Sequence, residues 1–185
     1  HRWLFVLCAF TLSSCATTQM SSGFVTRGAS ILPAGVPKRV GVVLFEGEAP
    51  INAQSTEQFA AGLVPLGFDV VERNNLDRIL QEYKIQYSGV TSTDSLLKLG
   101  ELLSLEGVFV GAVTGESSST WVDSHVNVRF VEIKTGKTIW SATAKDPRLF
   151  TISMDVRTSI VHSTNKALSM LKRDLSKISD INSPL

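Results

Sequence analysis

The sequence has few of the residues from which catalytic and metal sites are usually built. Its 185 residues include three histidines and two cysteines, Cys8 and Cys15. None of the patterns His-Glu-x-x-His, Cys-x-x-Cys or Gly-x-Ser-x-Gly is present. His125 and His162 have no cysteine partners and no helical spacing to each other, so they do not predict a metal site. We therefore expect a protein that is not an enzyme, with no catalytic residue, no bound metal and no cofactor.

An excess of charge of one sign is also missing. The chain has 18 lysines and arginines against 17 aspartates and glutamates, which gives a formal net charge of +1. This balance provides no electrostatic footprint for nucleic acid, so we do not expect nucleic acid as a partner. A hydrophobic content of 43% and a charged content of 19% are typical of a globular protein. The length suits one domain and is short for two.

The apolar run near the N-terminus covers only residues 3–12. It is too short to span a bilayer and has the length of the apolar part of a secretory signal. Leu12-Ser13-Ser14-Cys15 then has the form of a bacterial lipobox, in which small residues precede the cysteine that becomes lipidated. The alternative is an ordinary signal peptide with a chance cysteine.

The lipobox defines the expected organisation of the chain. We expect a signal peptide at 1–14, a lipidated Cys15 with a flexible tether at 15–37, and a single periplasmic domain at 38–180. The residue after the lipidated cysteine is Ala16 and not Asp. In bacterial lipoproteins this usually implies sorting to the outer membrane. Cleavage before Cys15 would remove Cys8, and lipidation would consume the remaining thiol.

Residues 68–115 carry the pattern around which the rest of the chain is organised. The stretch begins with a short apolar run that ends at Val70 and Val71. Asn74 or Asn75 is expected to cap the helix that follows. Ile79 and Leu80 have the spacing of one apolar helix face, so both are expected to be buried.

A second helix is predicted to begin near residue 92, where Ser92, Thr93 and Asp94 are expected to supply its cap, with the acid in the first turn. Leu96, Leu99 and Leu103 repeat the apolar spacing of the first helix. Gly100 lies inside this helix, where glycine costs about 1 kcal/mol relative to Ala. The expected reason for this glycine is a close contact between the helix and a strand.

The flanking segments supply further elements. Residues 38–45 read as a buried strand, and Ser55 with Gln58 is expected to form a capping box for the helix after it. Ser153 is expected to cap a long C-terminal helix with an apolar stripe.

A β-hairpin is predicted at residues 125–145, with Gly136 at the turn position that requires a positive φ. Residues 116–120 read as a polar loop. Trp121 and Trp140 suggest either a membrane-interface girdle or ordinary sheet residues. Together these elements predict an α+β layered sandwich, with a mixed β-sheet of about five strands and three to four packed helices.

Two pieces of this pattern resemble the family of the curli secretion lipoprotein, CsgG. They are VVERNNLDRILQEYKIQYSG and LLKLGELLSLEGVFVGAVTG, followed by a hairpin, VRFVEIKTGKTIWSA, that looks like the central hairpin of the family. As one ordered set the pattern is fairly specific, whereas each piece alone is weak. The matching positions are Val71, Glu72, Arg73, Leu76, Ile79, Leu80, Glu82, Lys98, Leu99, Gly100, Leu102, Leu103 and Gly111.

The resemblance implies a CsgG-like soluble domain, related also to the lipoproteins that activate penicillin-binding proteins. It implies a lipoprotein at the periplasmic face of the bacterial outer membrane. There it would act as a non-catalytic partner-binding or assembly factor in cell-envelope biogenesis or secretion. The implied partners are the membrane, through the N-terminal lipid, and another envelope or secretion protein. The resemblance also allows a homo-oligomer of the chain.

Two alternatives remain open. The first is a subunit of an oligomeric curli-type secretion channel. A membrane hairpin needs roughly twenty residues or more, and the gaps between Gly115 and Val126 and between Lys145 and Ser153 are too short to hold one. The second is a nucleotide-binding domain, suggested by glycines repeated every four residues up to Gly115. No Gly-Lys-Ser/Thr follows them.

Overall fold

The computed structural model describes part of the chain: residues 25–30, 32, 35–83, 92–118, 121–149 and 155–181. The strands in this part are β1 (Val25–Ser30), β2 (Arg39–Val42), β3 (Asp69–Val70), β4 (Gly107–Ser117), β5 (Trp121–Glu132), β6 (Thr138–Lys145) and β7 (Arg148–Leu149). The helices are α1 (Ile51–Leu63), α2 (Arg73–Glu82), α3 (Thr93–Leu103) and α4 (Val156–Ile181), with a short 3-10 helix at Val64–Leu66.

The described strands form one mixed sheet in the order β1-β6-β5-β4-β2-β3, and β7 pairs with the start of β5. β2 is parallel to β3 and β4, because α1 leads from β2 to β3, and α2 and α3 lead from β3 to β4. The other pairs are antiparallel. The predicted α+β fold class is confirmed. Five described strands have four or more residues, and β3 and β7 have two each.

β1 lies within the range 15–37, which the sequence predicts as a tether. It pairs with β6, with Val25 opposite Ala144 and Ser30 opposite Trp140. The sheet therefore extends to residues before 38. The domain boundary itself stays a prediction.

Helices cover the sheet from both sides, because the strands bury alternate residues on opposite faces. On one side α1 and α4 pack over a cluster that includes five phenylalanines. In that cluster the rings of Phe109 and Phe130 stack with their centroids 4.0 Å apart. On the other side α2 and α3 pack over the second cluster, where Ile79, Leu80 and Leu96 are buried. The predicted burial of Ile79 and Leu80 is confirmed.

α4 contacts the sheet through a row of buried hydroxyl groups as well as apolar side chains, and we call this row the serine seam. It comprises Ser124 of β5 with Ser159, Ser163 and Thr164 of α4, together with Ser55 of α1. The Ser124 hydroxyl lies 2.8 Å from that of Ser159 and 2.7 Å from that of Ser163, and Thr164 lies 2.9 Å from Ser55. Three of these hydroxyls also donate to backbone carbonyls: Ser159 to Asp146, Ser163 to Ser124 and Thr164 to Ile160.

Two of the predicted helix starts are wrong. α2 begins at Arg73 after Glu72, so Asn74 and Asn75 lie inside its first turn and do not cap it. α1 begins at Ile51, four residues before Ser55. The hydroxyl of Ser55 is buried against Thr164 and forms no capping box with Gln58.

α3 begins within the three residues predicted to cap it. Ser92 is its N-cap, and the Ser92 hydroxyl accepts a hydrogen bond from the backbone N–H of Ser95. Ser153, the predicted cap of α4, lies outside the described residues. Asp155 instead accepts hydrogen bonds from the backbone N–H and the hydroxyl of Thr158, at 2.8 and 2.9 Å. These bonds, with the backbone bond first, hold the pKa of the Asp155 carboxyl below its usual value.

The β4–β5 pair is longer than the sequence predicts. β4 continues through Ser117, which lies opposite Val122, so Glu116 and Ser117 belong to a strand and not to a loop. The pair extends past β2, whose last pair with β4 joins Val42 and Phe109, and past an isolated bridge between Glu46 and Ala112. We call the end of the sheet at Ser117 and Trp121 the tip end. Gly136, in the next turn, has φ of +67°, as predicted.

Candidate functional site

A groove of about 900 Å³ lies at the end of the sheet opposite the tip end, and we call it the partner groove. This is within the size range of binding sites in proteins. Five separate segments form its walls: residues 35–38 before β2, the 3-10 helix, α3, the turn after β5 and the last turns of α4. Its lining residues are Gly35, Val36, Pro37, Lys38, Leu66, Leu97, Gly100, Glu101, Leu105, Glu106, Glu132, Ile133, Lys134, Leu175 and Ile178.

Apolar side chains form opposite sides of the partner groove. Leu175 and Ile178 come from α4, Leu66 from the 3-10 helix, and Leu97 from α3. Leu97 is 53% exposed at the edge of this concavity. A bound apolar side chain could remove this surface from water, at roughly 25 cal/mol for each Å² buried.

Gly100 brings α3 close to the turn that forms another wall. A Cβ atom at this position would lie 2.8 Å from Cγ2 of Ile133 and 3.4 Å from the carbonyl oxygen of Leu105. The close contact predicted at this glycine is present, but it is made with the turn after β5 and not with a strand. The approach also determines where Leu97 lies on the groove wall, since Leu97 is one turn earlier on the same helix.

Charged side chains of both signs lie among these apolar walls. The Glu106 carboxylate accepts hydrogen bonds from the backbone N–H groups of Lys38 and Arg39, at 2.5 and 3.3 Å. It therefore holds the segment before β2 against the end of α3. The Glu132 carboxylate accepts a hydrogen bond from the hydroxyl of Thr135 at 2.6 Å.

The sequence prediction missed the partner groove, although one signal for it is present. Leu97 follows Leu96 directly, so it cannot share the buried face that Leu96 and Leu99 form at helical spacing. An exposed leucine on the side of α3 that also carries Asp94 and Glu101 is that signal. The other walls come from distant segments, and no local pattern brings those together.

The predicted lipidation site, Cys15, lies outside the described residues. In the part of the chain that the structure describes, no group of three or more histidine, cysteine, aspartate or glutamate residues could hold a metal ion. His125 lies beside Asp123, with Nε2 2.8 Å from the carboxylate. His162 is exposed on α4.

No helix of the described segments combines the length and apolar character needed to cross a bilayer.

The two tryptophans singled out in the sequence have different environments. Trp140 is fully buried, and its indole N–H donates to the Asp174 carboxylate at 3.2 Å. Trp140 is therefore a core residue. Trp121 is 37% exposed at the tip end, on the sheet face opposite α4.

Comparison with known proteins supports the family resemblance. Residues 63–124 match the family model described as "Curli production assembly/transport component CsgG". This range runs from the end of α1 to the start of β5, and it contains the two segments on which the resemblance to the CsgG-like family rests. That resemblance is confirmed.

Two solved structures share the fold at low sequence identity. One is the PelC dodecamer from Paraburkholderia phytofirmans, at 16% identity and a TM-score of 0.55, covering 81% of this chain and 97% of that one. The other is the lipoprotein GNA1162 from Neisseria meningitidis, at 16% identity and a TM-score of 0.55, covering 80% of this chain and all (100%) of that one.

A curated relative with a different description is the large ribosomal subunit protein uL1 from Xanthomonas oryzae pv. oryzae. It is 30% identical over 112 residues, which are 58% of this chain and 45% of that protein. The chain thus spans a little under half the length of the curated relatives it matches.

Proposed function

We propose that the chain is a lipoprotein anchored through Cys15 to the periplasmic face of the bacterial outer membrane. In this proposal it is a non-catalytic partner-binding or assembly factor in cell-envelope biogenesis or secretion. The partner groove is the observation that carries the binding function. It is preformed, it has apolar walls, and it exposes a leucine whose burial would favour association.

The anchor is supported by the lipobox and by the fold shared with a lipoprotein. The family-model match supports an assembly or transport role. The match to uL1 would suggest RNA binding instead. We do not propose it, because a net charge of +1 offers little to a phosphate backbone.

Metabolic labelling with a fatty acid tests the anchor. The wild-type protein should incorporate the label and fractionate with the outer membrane, and Cys15→Ala should lose both properties. Ser14→Ala keeps the cysteine and a small preceding residue, so it serves as the matched control. Equal labelling of Cys15→Ala and the wild type would show that the lipid site is wrong.

The binding function is tested with photo-crosslinking residues placed at Leu97 or Leu102. Both leucines lie on α3 and are exposed, by 53% and 39%, but only Leu97 lines the partner groove. In intact cells, position 97 should form a discrete adduct with an envelope or secretion protein, identified by mass spectrometry. Position 102 should not form it. The same adduct at both positions, or at 102 only, would contradict the assignment of the groove.

The channel remains the alternative, and the dodecameric state of PelC, which shares the fold, is the observation that favours it. In that case purified protein would form a ring and conduct ions in planar bilayers. Single-channel recordings on the full lipidated protein separate this function from partner binding alone.

A further inference from the structure

We propose that β1 and residues 35–38 act together as one strap, and that the docking of β1 on β6 controls a wall of the partner groove. In this proposal, docking of the strap and binding of a partner in the groove favour each other, and release of β1 weakens binding. This regulation rests on the partner-binding function proposed above. The coupling between β1 and the groove does not, so it can be tested on the protein alone.

The first observation is the path of the chain between β1 and β2. In the sheet order, β6, β5 and β4 lie between these two strands, so β1 and β2 are four strand spacings apart, or about 19 Å. β1 ends near the groove, where Ser30 lies opposite Trp140. Nine residue intervals separate Ser30 from Arg39, the first residue of β2, and these reach at most about 32 Å. The strap therefore takes a short path across the end of the sheet that carries the groove.

The second observation is that residues 35–38 are a wall of the groove and also a packed part of the fold. All four line the groove. Val36 packs in addition against the cluster that contains the phenylalanines, as does Leu32, which is nearer to β1. Pro37 is buried, and a Cβ atom on Gly107 would lie 3.3 Å from Cβ of Pro37, so the strap lies directly against the start of β4. The shape of this wall therefore depends on how the strap is seated.

The third observation is that β1 is held more weakly than the strands in the middle of the sheet. Among the described strands it pairs on one side only, with β6. Its register shifts between Arg27 and Ser30, and the two residues between them, Gly28 and Ala29, are of types depleted in strands. Such elements open locally at a lower free energy than the core of a sheet. β1 is also the described strand nearest in sequence to the proposed anchor at Cys15, so a pull on the anchor reaches it first.

Release of β1 would reach the groove through the chain itself. The far end of the strap is fastened by the Glu106 carboxylate, which accepts hydrogen bonds from the backbone N–H groups of Lys38 and Arg39. When β1 is docked, Val36 and Pro37 lie between two fastened ends, and when it is released they lie beside one. A partner that contacts this wall therefore binds the docked state more tightly, and it must stabilise the docking of β1 by the same factor.

Hydrogen exchange of the full-length protein, without a partner, tests the coupling. Thr26→Cys with Thr143→Cys places a disulfide between directly opposite residues of β1 and β6. Asn127→Cys with Thr143→Cys places one between β5 and β6 and is the matched control. The first disulfide should slow exchange of the Lys38 and Arg39 amides at least about fivefold, the lower end of typical coupling between sites. Equal exchange rates of these two amides in both disulfide variants would overturn the coupling.

The reverse experiment changes the groove and measures β1. Glu106→Ala removes the acceptor of the two amides, whereas the backbone of residue 106 keeps its hydrogen bonds with Arg39 and Ile133. Exchange of the β1 amides should become faster, and amides of the β4–β5 pair, the internal reference, should keep their rates. Unchanged rates in β1 would overturn the coupling. Equal acceleration in β1 and in the β4–β5 pair would also overturn it, because that result reports a global loss of stability.

Photo-crosslinking at Leu97 in intact cells tests the regulation. Replacing β1 by six glycine and serine residues keeps the length of the chain and should lower the yield of the partner adduct, whereas the β1–β6 disulfide should not lower it. Equal adduct yields from the wild type and the protein with the replaced strand would overturn the regulation and leave the binding function intact. Absence of any adduct at position 97 in the wild type would overturn the binding function, and the regulation with it.

Discussion

Leu80 on α2 offers the sharpest test of how the domain is stabilised. Its side chain is 2% exposed and packs in the cluster that also contains Leu76, Leu96 and Leu99. This cluster is the contact between the α2–α3 layer and the sheet. Leu80→Ala removes three carbons from that contact and leaves a cavity that the surrounding helices and strands can fill only in part.

The expected loss is 2–5 kcal/mol, from lost transfer free energy and the cavity together. A whole domain is stable by about 5–15 kcal/mol, so this one change should remove a large share of the free energy of unfolding. The adjacent Gln81 is exposed, and Gln81→Ala should change the free energy of unfolding by no more than about 0.5 kcal/mol.

Urea melts followed by circular dichroism measure both variants against the wild type. Leu80→Ala should shift the midpoint to clearly lower urea at an unchanged slope, and Gln81→Ala should leave the midpoint where it is. Equal midpoints for the two variants would refute the assignment of the buried face of α2. A changed slope for Leu80→Ala would mean that the mutation altered the compactness of the folded or the unfolded state. The difference in midpoint would then not report the loss of packing alone.

Two further predictions concern α3 and α4. Gly100→Ala should lower the urea midpoint. Ala favours the helix by about 1 kcal/mol over Gly, but the new methyl group would lie 2.8 Å from Cγ2 of Ile133. The β-branched side chain of Ile133 has little freedom to move, and overpacking costs about 1–3 kcal/mol. A raised midpoint would mean that the turn gives way at little cost. The lowered pKa of Asp155 stabilises the fold above the ordinary carboxyl pKa, and this contribution is lost as pH falls through the folded-state value. Urea melts at neutral and acidic pH measure how much more stable the wild type is than Asp155→Asn. This difference in free energy of unfolding should vanish in acid. A difference that persisted in acid would contradict the proposed role of the Asp155 carboxylate as a cap.

Local patterns predict the parts of this fold whose partners lie nearby in the sequence. The apolar spacing that includes Ile79 and Leu80 identifies the buried face of α2, and Ser92 identifies the start of α3, because both depend on residues within one or two turns. Ser55 shows where such patterns fail. It has the sequence form of a cap, but its hydroxyl bonds Thr164, more than a hundred residues away.

The same limit applies to the site. The partner groove is formed by five segments, of which only α3 carries a local signal, in Leu97. The sequence predicts a loop at Glu116 because polar residues are common in turns, whereas its strand conformation depends on pairing with Asp123. Nothing near Trp140 in the sequence predicts its hydrogen bond to Asp174. That residue lies on α4, which starts sixteen residues later.

The serine seam has a mechanical consequence for the far end of α4. Apolar side chains tolerate small sliding of a helix over a sheet, but hydrogen bonds lose strength quickly when distance or angle changes. Ser159 and Ser163 bond the same Ser124 hydroxyl from successive turns, so displacing α4 along its axis by one residue, about 1.5 Å, would misalign both bonds. The N-terminal half of α4 thus acts as a fixed clamp. Leu175 and Ile178 lie three to four turns further along α4, so their position along the helix axis relative to the sheet is fixed as well. The distance between the groove walls therefore depends on a contact outside the groove.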